Sequence, residues 1–281
     1  MTAPLLGPRG DTELLVMSFN VRRDLGRFTW RRADRWTTRR DRVAKLLRTE
    51  RPQLLGVQEA MLDQAAVIGS ALGAAYRFVG HGRRPGPRGE GCPLFYDAER
   101  LELLSWRQRA LSDRPDVPGS TSWTALLPRV MVEAQFRDRG TGETLTAVNT
   151  HLDAFSAHAR LRQAQALRGA LPAPAERVIV MGDLNAPAGS APWRALMDER
   201  LLRDAWTAAA SRATPEWRTF AGYRRPRRGH RIDGILVSPD ILVRSVGVDA
   251  RMHDGGWPSD HLPVLALLDA SSRGTARGEA L

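Results

Sequence analysis

The sequence contains one cysteine, one lysine and no long apolar run. Because Cys92 stands alone, a disulfide framework and a thiolate metal site are excluded. No stretch reaches the roughly 18 apolar residues that a transmembrane helix needs, so we expect no membrane span. Residues 1–12 contain two prolines and two glycines and lack the apolar centre of a secretory signal, so we expect a cytoplasmic protein.

The formal charge of +11 suggests an anionic partner. Of the 42 basic residues, however, all but Lys45 are arginines. Together with the many alanines, this bias is typical of a GC-rich genome. The charge alone therefore does not indicate binding to nucleic acid.

No repeat or linker divides the chain, so we predict one domain over residues 13–270 with flexible termini at 1–12 and 271–281. Short apolar runs predict strands at Leu14–Val21, Leu54–Gln58, Pro93–Tyr96, Val130–Phe136, Thr144–His151, Val178–Met181, Ile232–Val237 and Leu262–Leu268. Helices are predicted at Arg39–Glu50, Met61–Leu72, Ala157–Leu171 and Ala191–Leu201. Many strands with few helices favour two packed sheets with helices outside them.

Polar side chains stand at the ends of these apolar strands, where a rigid mount can hold a site in register. They form six short patterns in chain order: Ser18-Phe19-Asn20, Gln58-Glu59, Asn149-Thr150-His151, Gly182-Asp183-Leu184-Asn185, Arg231-Ile232-Asp233 and Ser259-Asp260-His261.

The residue types suit phosphate chemistry. In an extended segment Asp183 and Asn185 project from the same side, where they could orient a water and a phosphate oxygen. Glu59 ends a buried run, which is costly for a charge unless a cation compensates it. An adequate set of Mg²⁺ ligands would be Glu59, Asn20 and Asp260, because this ion accepts one or two carboxylates and keeps several waters.

Each pattern also has an ordinary structural explanation. Asn20 could be a turn residue, Asp183 and Asn185 a loop with a helix cap, and Asp260 the cap of a turn. His261 alone could be structural, and Glu59 could begin the following helix. The joint occurrence of all six patterns in one order favours a functional site.

In that order, the six patterns resemble the endonuclease/exonuclease/phosphatase superfamily over about residues 14–268. The loop from Arg83 to Glu90 and the stretch from Trp123 to Arg129 are most similar to bacterial members of its deadenylase-like branch. The resemblance implies a DNase I-like α+β fold, a four-layer sandwich of two mostly antiparallel sheets flanked by helices. It also implies a monomeric, metal-dependent phosphoesterase that uses Mg²⁺, for which Mn²⁺ can substitute.

The resemblance also implies roles for the matching residues. Glu59 would be the main metal ligand, with Asn20 and Asp260 beside it. The histidines His151 and His261 would face the scissile phosphate, and Glu90 and Asp233 match the acids that pair with such histidines. The water and phosphate oxygens would be contacted by Asp183, Asn185 and Arg129. The proton of the water would go to His261 or to Asp183, and both alternatives stay open.

The shared motifs do not identify the substrate. We expect a phosphodiester cleaved by a nuclease or nucleotide phosphodiesterase; the alternatives are a small or lipid-derived phosphoester and a nonenzymatic nucleic-acid-binding protein. Substrate choice is expected in four loops: Asp24–Thr38, His81–Glu90, Ser112–Ser122 and Ala208–His230. The first and last are rich in arginine and tryptophan, which suits single-stranded nucleic acid. The alternative is that the tryptophans belong to the core and the arginines are solvated.

Overall fold

A computed structural model describes residues 3–26, 29–171, 177–197, 201–269 and 271. The strands are β1 (Glu13–Asn20), β2 (Leu54–Gln58), β3 (Tyr76–Val79), β4 (Gly82–Arg84), β5 (Arg88–Gly91), β6 (Leu94–Asp97), β7 (Leu101–Ala110), β8 (Val130–Asp138), β9 (Thr144–His151), β10 (Arg177–Asp183), β11 (Arg203–Asp204), β12 (Ser211–Arg212), β13 (Asp233–Val237), β14 (Leu242–Val248) and β15 (Val264–Asp269). The helices are α1 (Trp36–Glu50), α2 (Leu62–Leu72), α3 (Ala157–Ala170), α4 (Ala191–Leu196) and α5 (Ala205–Ala208), with a short 3-10 turn at Arg32–Asp34.

The strands form two large mixed sheets. The first has seven strands in the order β12-β14-β15-β1-β2-β6-β3, and the second has six in the order β11-β13-β10-β9-β8-β7. Most neighbours are antiparallel, but β1 runs parallel to β2, β9 to β10 and β12 to β14. Strands β4 and β5 form a separate antiparallel pair.

The two sheets pack face to face, and helices cover their outer faces. In β1, Leu14 and Val16 point into the core between the sheets, whereas Leu15 and Met17 pack with residues of α1 and α2. The outer face of the second sheet packs in the same way against residues of α3 and α4, including the buried Trp193. Covering both faces explains why these strands read as continuous apolar runs. The predicted α+β sandwich of two packed sheets flanked by helices is confirmed.

Asn149 links the two sheets through a buried polar contact. Its amide nitrogen donates to the carbonyl oxygens of Val57, Cys92 and Pro93 at 2.8–3.0 Å, and its Oδ1 accepts from Gln58 at 2.7 Å. A side chain at Gly56 would lie 2.9 Å from this amide, so glycine is required for the close approach. Asn149, although part of a site motif, therefore has a structural role.

The predicted strands and first three helices agree with the structure to within a few residues. The fourth helix is shorter than predicted, because α4 ends at Leu196 and Met197 adopts an extended backbone; residues 198–200 lie outside the described residues. Strands β3, β4, β5, β7, β11, β12 and β14 and the short helix α5 were not predicted. Three predicted loops contain regular structure, since α1 begins at Trp36, β4 and β5 occupy most of His81–Glu90, and β12 lies within Ala208–His230.

The N-terminal segment lies against the domain. The backbone N–H of Leu5 donates to both carboxylate oxygens of Glu50, and Arg9 donates to the carbonyl oxygen of Arg51. The predicted flexibility of 1–12 stays a prediction, and most of the 271–281 segment lies outside the described residues. Within the described part of the chain, no helix combines the length and apolar character required to span a bilayer.

Candidate active site

Strand pairing brings the predicted residues to one end of the sandwich. Because β9 and β10 are parallel, their final residues His151 and Asp183 are direct neighbours. Strand β13 runs antiparallel to β10, so its first residue, Asp233, is the partner of Asp183 on the other side. Asn20 ends β1 in the facing sheet, beside Gln58.

One oxygen of Asp183 lies at the centre of the site. Its Oδ2 accepts a hydrogen bond from Asn20 Nδ2 at 3.0 Å and lies 3.5 Å from His151 Nε2 and 3.7 Å from His261 Nε2. Asp183 is 1% exposed. Burial, followed by the neighbouring carboxylate of Asp233, raises the pKa of Asp183 well above its ordinary value. Groups from both sheets therefore converge on a single buried carboxylate.

His261 is held by a carboxylate on its other ring nitrogen. Its Nδ1 lies 2.9 Å from Asp233 Oδ2, and Asp233 is fixed by its own backbone N–H, which donates to the hydroxyl of Thr219. Burial alone would lower the pKa of His261, but the carboxylates of Asp233 and Asp183 outweigh it and raise this pKa well above the usual value. The pair is arranged to carry a positive charge on the ring.

His151 has the opposite electrostatic environment. Burial, followed by the positive charges of Arg129 and Arg83, lowers the pKa of His151 well below its ordinary value. Arg129 is 3% exposed, and its Nε and Nη1 atoms have no hydrogen-bond partner in the structure. Its Nε lies 3.9 Å from Asp153 Oδ2, too far for a hydrogen bond. Buried unsatisfied donors suit a site that binds an anion.

Glu59 and Asp260 form the acidic side of the site. The guanidinium of Arg22 lies between them, with Nη1 3.7 Å from Glu59 Oε2 and Nε 3.7 Å from Asp260 Oδ2. Burial raises the pKa of Asp260, whereas hydrogen bonds from Asn20 and the Arg23 backbone outweigh burial and lower the pKa of Glu59. Glu59 has a left-handed backbone with φ 62°, a strained conformation that is common at functional positions.

The donor set at Glu59 fits a hard divalent cation. The carboxylates of Glu59 and Asp260, with side chains 13% and 12% exposed, lie on either side of the Arg22 guanidinium. Beside them, the amide oxygen of Asn20 accepts a hydrogen bond from the backbone N–H of Arg22 at 2.9 Å. Oxygen donors with one or two carboxylates are what Mg²⁺ accepts.

A second cluster also groups potential ligands. Atoms of Asp183, Asp233 and His261 all lie within 4.8 Å of one another. In this cluster, however, the His261 Nδ1 is already occupied by Asp233. With that nitrogen occupied, this cluster offers a cation fewer free ligand atoms than the Glu59 side does.

Glu90 does not pair with a histidine as the sequence led us to expect. Its Oε1 lies 2.7 Å from Arg83 Nη1, and its Oε2 accepts from Arg23 Nη1 at 3.1 Å. No ion pair joins Glu90 to His151, both of which lie in the described part of the chain. Glu90 borders the same pocket, but its contacts assign it to holding two arginines in place.

Asn185 lies beside the central carboxylate. Its backbone N–H donates to Asp183 Oδ1 at 2.9 Å, and its side-chain amide donates to the carbonyl oxygen of Leu152 at 3.0 Å. Its φ of 49° is left-handed, as for Glu59. The two contacts fix the amide at the pocket wall.

The pocket over these residues has a volume of about 290 Å³. Eight of its lining residues were not predicted as site residues: Arg22, Arg23, Arg83, Leu127, Ala154, Phe155, Phe220 and Ile232. Arg22 and Arg23 lie two and three positions after Asn20 and could have been found from that position. The two phenylalanines had no sequence signal, although they are 69% and 57% exposed and flank the opening.

Residues 17–261 match the family model described as the Endonuclease/Exonuclease/phosphatase family. Among solved structures, a mannosyl-6-phosphatase of Bacteroides thetaiotaomicron VPI-5482 is 28% identical, with a TM-score of 0.82 over 91% of this chain and 99% of that one. A family protein from Bacteroides vulgatus is 30% identical, with a TM-score of 0.82 over 91% and 98%.

The catalytic domain of human nocturnin, solved with a bound sulfate anion, is 20% identical, with a TM-score of 0.67 over 91% and 93% of the two chains. At that identity the likeness shows the fold alone. No curated protein matches the sequence.

Proposed function

The chain belongs to the Endonuclease/Exonuclease/phosphatase family and is a phosphoester hydrolase, and we propose that it cleaves its substrate by attack of water with the help of Mg²⁺. The observation that carries this proposal is the convergence of Asn20, His151 and His261 on one oxygen of Asp183. Because the enzyme class is shared by the family, the nonenzymatic alternative is set aside.

The cation would be held by Glu59, Asn20 and Asp260. When bound, it supplies neutralisation of the phosphate charge and polarisation of a phosphoryl oxygen. Mn²⁺ is expected to substitute, because it accepts the same oxygen ligands.

We assign the base to Asp183 rather than His261. A carboxylate with a raised pKa accepts a proton more readily than an ordinary one, and efficient bases have pKa values near the working pH. His261 is the weaker candidate because its raised pKa keeps the ring protonated. A water beside Asp183 would lose a proton to the carboxylate as its oxygen bonds to phosphorus and the bond to the leaving oxygen breaks.

The developing negative charge would be stabilised by three fixed groups. His261 offers Nε2 as a charged donor while Asp233 holds its other nitrogen. His151 is neutral and can donate one hydrogen bond, and Arg129 has buried donors without a partner. Donors fixed before the reaction stabilise charge without reorganisation at that moment.

The pocket favours a small phosphoester as the substrate. Its volume of about 290 Å³ accommodates a phosphoryl group and one ring, and Phe155 and Phe220 provide exposed flat faces at its opening. The similarity to a mannosyl-6-phosphatase over nearly its full length supports a sugar phosphate.

A nuclease or nucleotide phosphodiesterase is the second candidate. Arginines line a pocket on each side of the central one, as expected for a surface that follows a phosphate backbone.

A magnesium-dependent screen tests these proposals. Purified protein would be assayed on p-nitrophenyl phosphate, its bis ester, hexose 6-phosphates, single-stranded DNA and RNA. Asp183→Asn should abolish turnover. Asp240→Asn is the matched control, because Asp240 lies beyond the opposite end of β13 and is 45% exposed. Turnover without a divalent cation, or full activity of Asp183→Asn, would overturn the mechanism.

A further inference from the structure

We propose that the protein has a second anion subsite beside the active pocket, which binds another phosphate group of the same substrate. It is a groove of about 340 Å³ with Phe220 and five arginines in its lining, called here the Phe220 groove: Arg31, Arg218, Arg224, Arg225 and Arg227. This inference rests on the proposed function, because it assumes that the neighbouring pocket holds the scissile phosphate.

The Phe220 groove is positively charged without local compensation. All five arginines are exposed, and the lining contains no acidic residue. Among the residues that the structure describes, no carboxylate forms an ion pair with any of the five. Their planar guanidinium groups can donate two hydrogen bonds to a phosphate, so the groove matches a phosphoryl group in charge and in donor geometry.

The groove is continuous with the active pocket. Phe220 lines both, and its ring centroid lies 5.2 Å from that of His261. The floor of the groove is fixed to the catalytic strand end, because the N–H groups of Ala221 and Gly222 donate to the Asp260 carbonyl oxygen at 2.8 and 2.9 Å. A ligand with its first phosphate over His261 would therefore extend across Phe220 into the arginines.

The basic pocket on the other side is less suited to an anion. It has a volume of about 500 Å³, and its arginines include Arg23 and Arg83. Both of these already pair with Glu90, at 3.1 and 2.7 Å. Binding a phosphate there would require competition with a carboxylate that is already in place, so we favour the Phe220 groove.

The ligand chemistry is a second phosphate separated from the first by one ring. The exposed ring of Phe220 lies between the two positions and can stack against a sugar or a base. Two substrate types have this chemistry: a small bisphosphorylated molecule and the next nucleotide of a strand.

Equilibrium binding with two probe pairs tests the subsite. The first pair is fructose 6-phosphate and fructose 1,6-bisphosphate, and the second is thymidine 5′-monophosphate and the 5′-phosphorylated thymidine dinucleotide. All proteins carry Asp183→Asn to prevent turnover. The groove variant adds Arg224→Gln and Arg225→Gln. The control adds Arg137→Gln and Arg139→Gln, which remove the same charge at the β8–β9 turn, at the opposite end of the sandwich.

In at least one pair, the two-phosphate probe should bind about tenfold more tightly than its one-phosphate partner, a difference that shrinks as salt increases. The groove variant should lose most of this advantage, and the control should keep it. The pair that shows the advantage identifies the source of the second phosphate. No advantage in either pair, or an equal advantage in the groove variant, would overturn the subsite.

Failure of the subsite can be distinguished from failure of the proposed function. The protein with Asp183 intact is assayed separately for hydrolysis of the phosphomonoesters and phosphodiesters of the magnesium-dependent screen. Hydrolysis without a two-phosphate advantage rejects the subsite alone. An arginine-dependent advantage without any hydrolysis supports the subsite and rejects the proposed reaction.

Discussion

Replacing Asp233 with asparagine tests whether the charge on His261 contributes to catalysis. Asp233 Oδ2 lies 2.9 Å from His261 Nδ1, and the two residues are 1% and 5% exposed. Asparagine has nearly the same shape as aspartate and can still hydrogen-bond to the ring. The substitution therefore removes the charge that favours a protonated imidazole while disturbing the packing little.

The expected loss follows from the value of one buried, charge-assisted hydrogen bond. Such a bond contributes about 1.5–3 kcal/mol, which corresponds to a decrease in kcat of about 10- to 150-fold when it acts only in the transition state. Asp183 still faces the other ring nitrogen at 3.7 Å, so part of the positive charge is retained. Removing the ring by His261→Ala should cost more, about 10²- to 10⁴-fold.

The assay is steady-state hydrolysis of the p-nitrophenyl esters with saturating Mg²⁺, accompanied by circular dichroism to verify folding. Asp240→Asn again serves as the control. If folded Asp233→Asn retained kcat within threefold of the original protein, the charged pair would have no catalytic role and the reasoning would be refuted.

Three further substitutions test the metal site, the buried contact between the sheets and the pH dependence of the free energy of unfolding. Glu59→Gln should weaken Mg²⁺ binding at least about tenfold, a loss typical even for residues that only support a metal ligand; unchanged affinity by calorimetry would exclude Glu59 as a ligand. Asn149→Ala should lower the free energy of unfolding by about 2–4 kcal/mol, because it leaves buried carbonyl groups unpaired; a loss below about 1 kcal/mol in urea denaturation would contradict this reasoning. Burial would raise the pKa of Asp249, but hydrogen bonds from Arg251 lower it from 3.8 to about 2. A depressed folded pKa stabilises the protein above the unfolded value and less so as pH falls through the folded one, so Asp249→Asn should remove about 2 kcal/mol of the stability lost between pH 4 and pH 2. Identical pH dependence in the variant and the original protein would contradict that assignment.

The strands that could be predicted from the sequence are mainly those buried on both faces. Strand β1 is apolar on both sides because one face meets the other sheet and the opposite face meets helices. Strand β7 was missed because it pairs only with β8 at the edge of its sheet. Most of its side chains are exposed or half-buried, and the polar residues from Ser105 to Arg109 hide its pattern.

Site residues at strand ends could also be predicted from the sequence, because the apolar runs show where each strand ends. Asn20 and Asp183 lie 163 positions apart and still form a hydrogen bond, as the common motif order implied. The ion-pair partners of Glu90 could not be predicted in this way. Glu90 pairs with Arg83 and Arg23 because two long side chains from separate segments reach the same carboxylate, which depends on the tertiary structure.

The exposed aromatic residues at the opening of the active pocket show a further limit of prediction from the sequence. Phe155 and Phe220 lie in loops without periodic patterning, and only the fold places both in the lining of the active pocket. The tilt of the Phe220 ring against His261 depends on the β-bridge between the two residues. Such pairings are tertiary, so the features that select the substrate require the structure.

The most direct test is a crystal structure of the protein with Mn²⁺ and phosphate, in which the anomalous signal of manganese locates the ion. We predict a single strong peak between Glu59 and Asp260, within ligand distance of Asn20, and phosphate oxygens facing His151 and His261. A peak confined to the cluster of Asp183, Asp233 and His261, or a phosphate bound away from both histidines, would contradict the account.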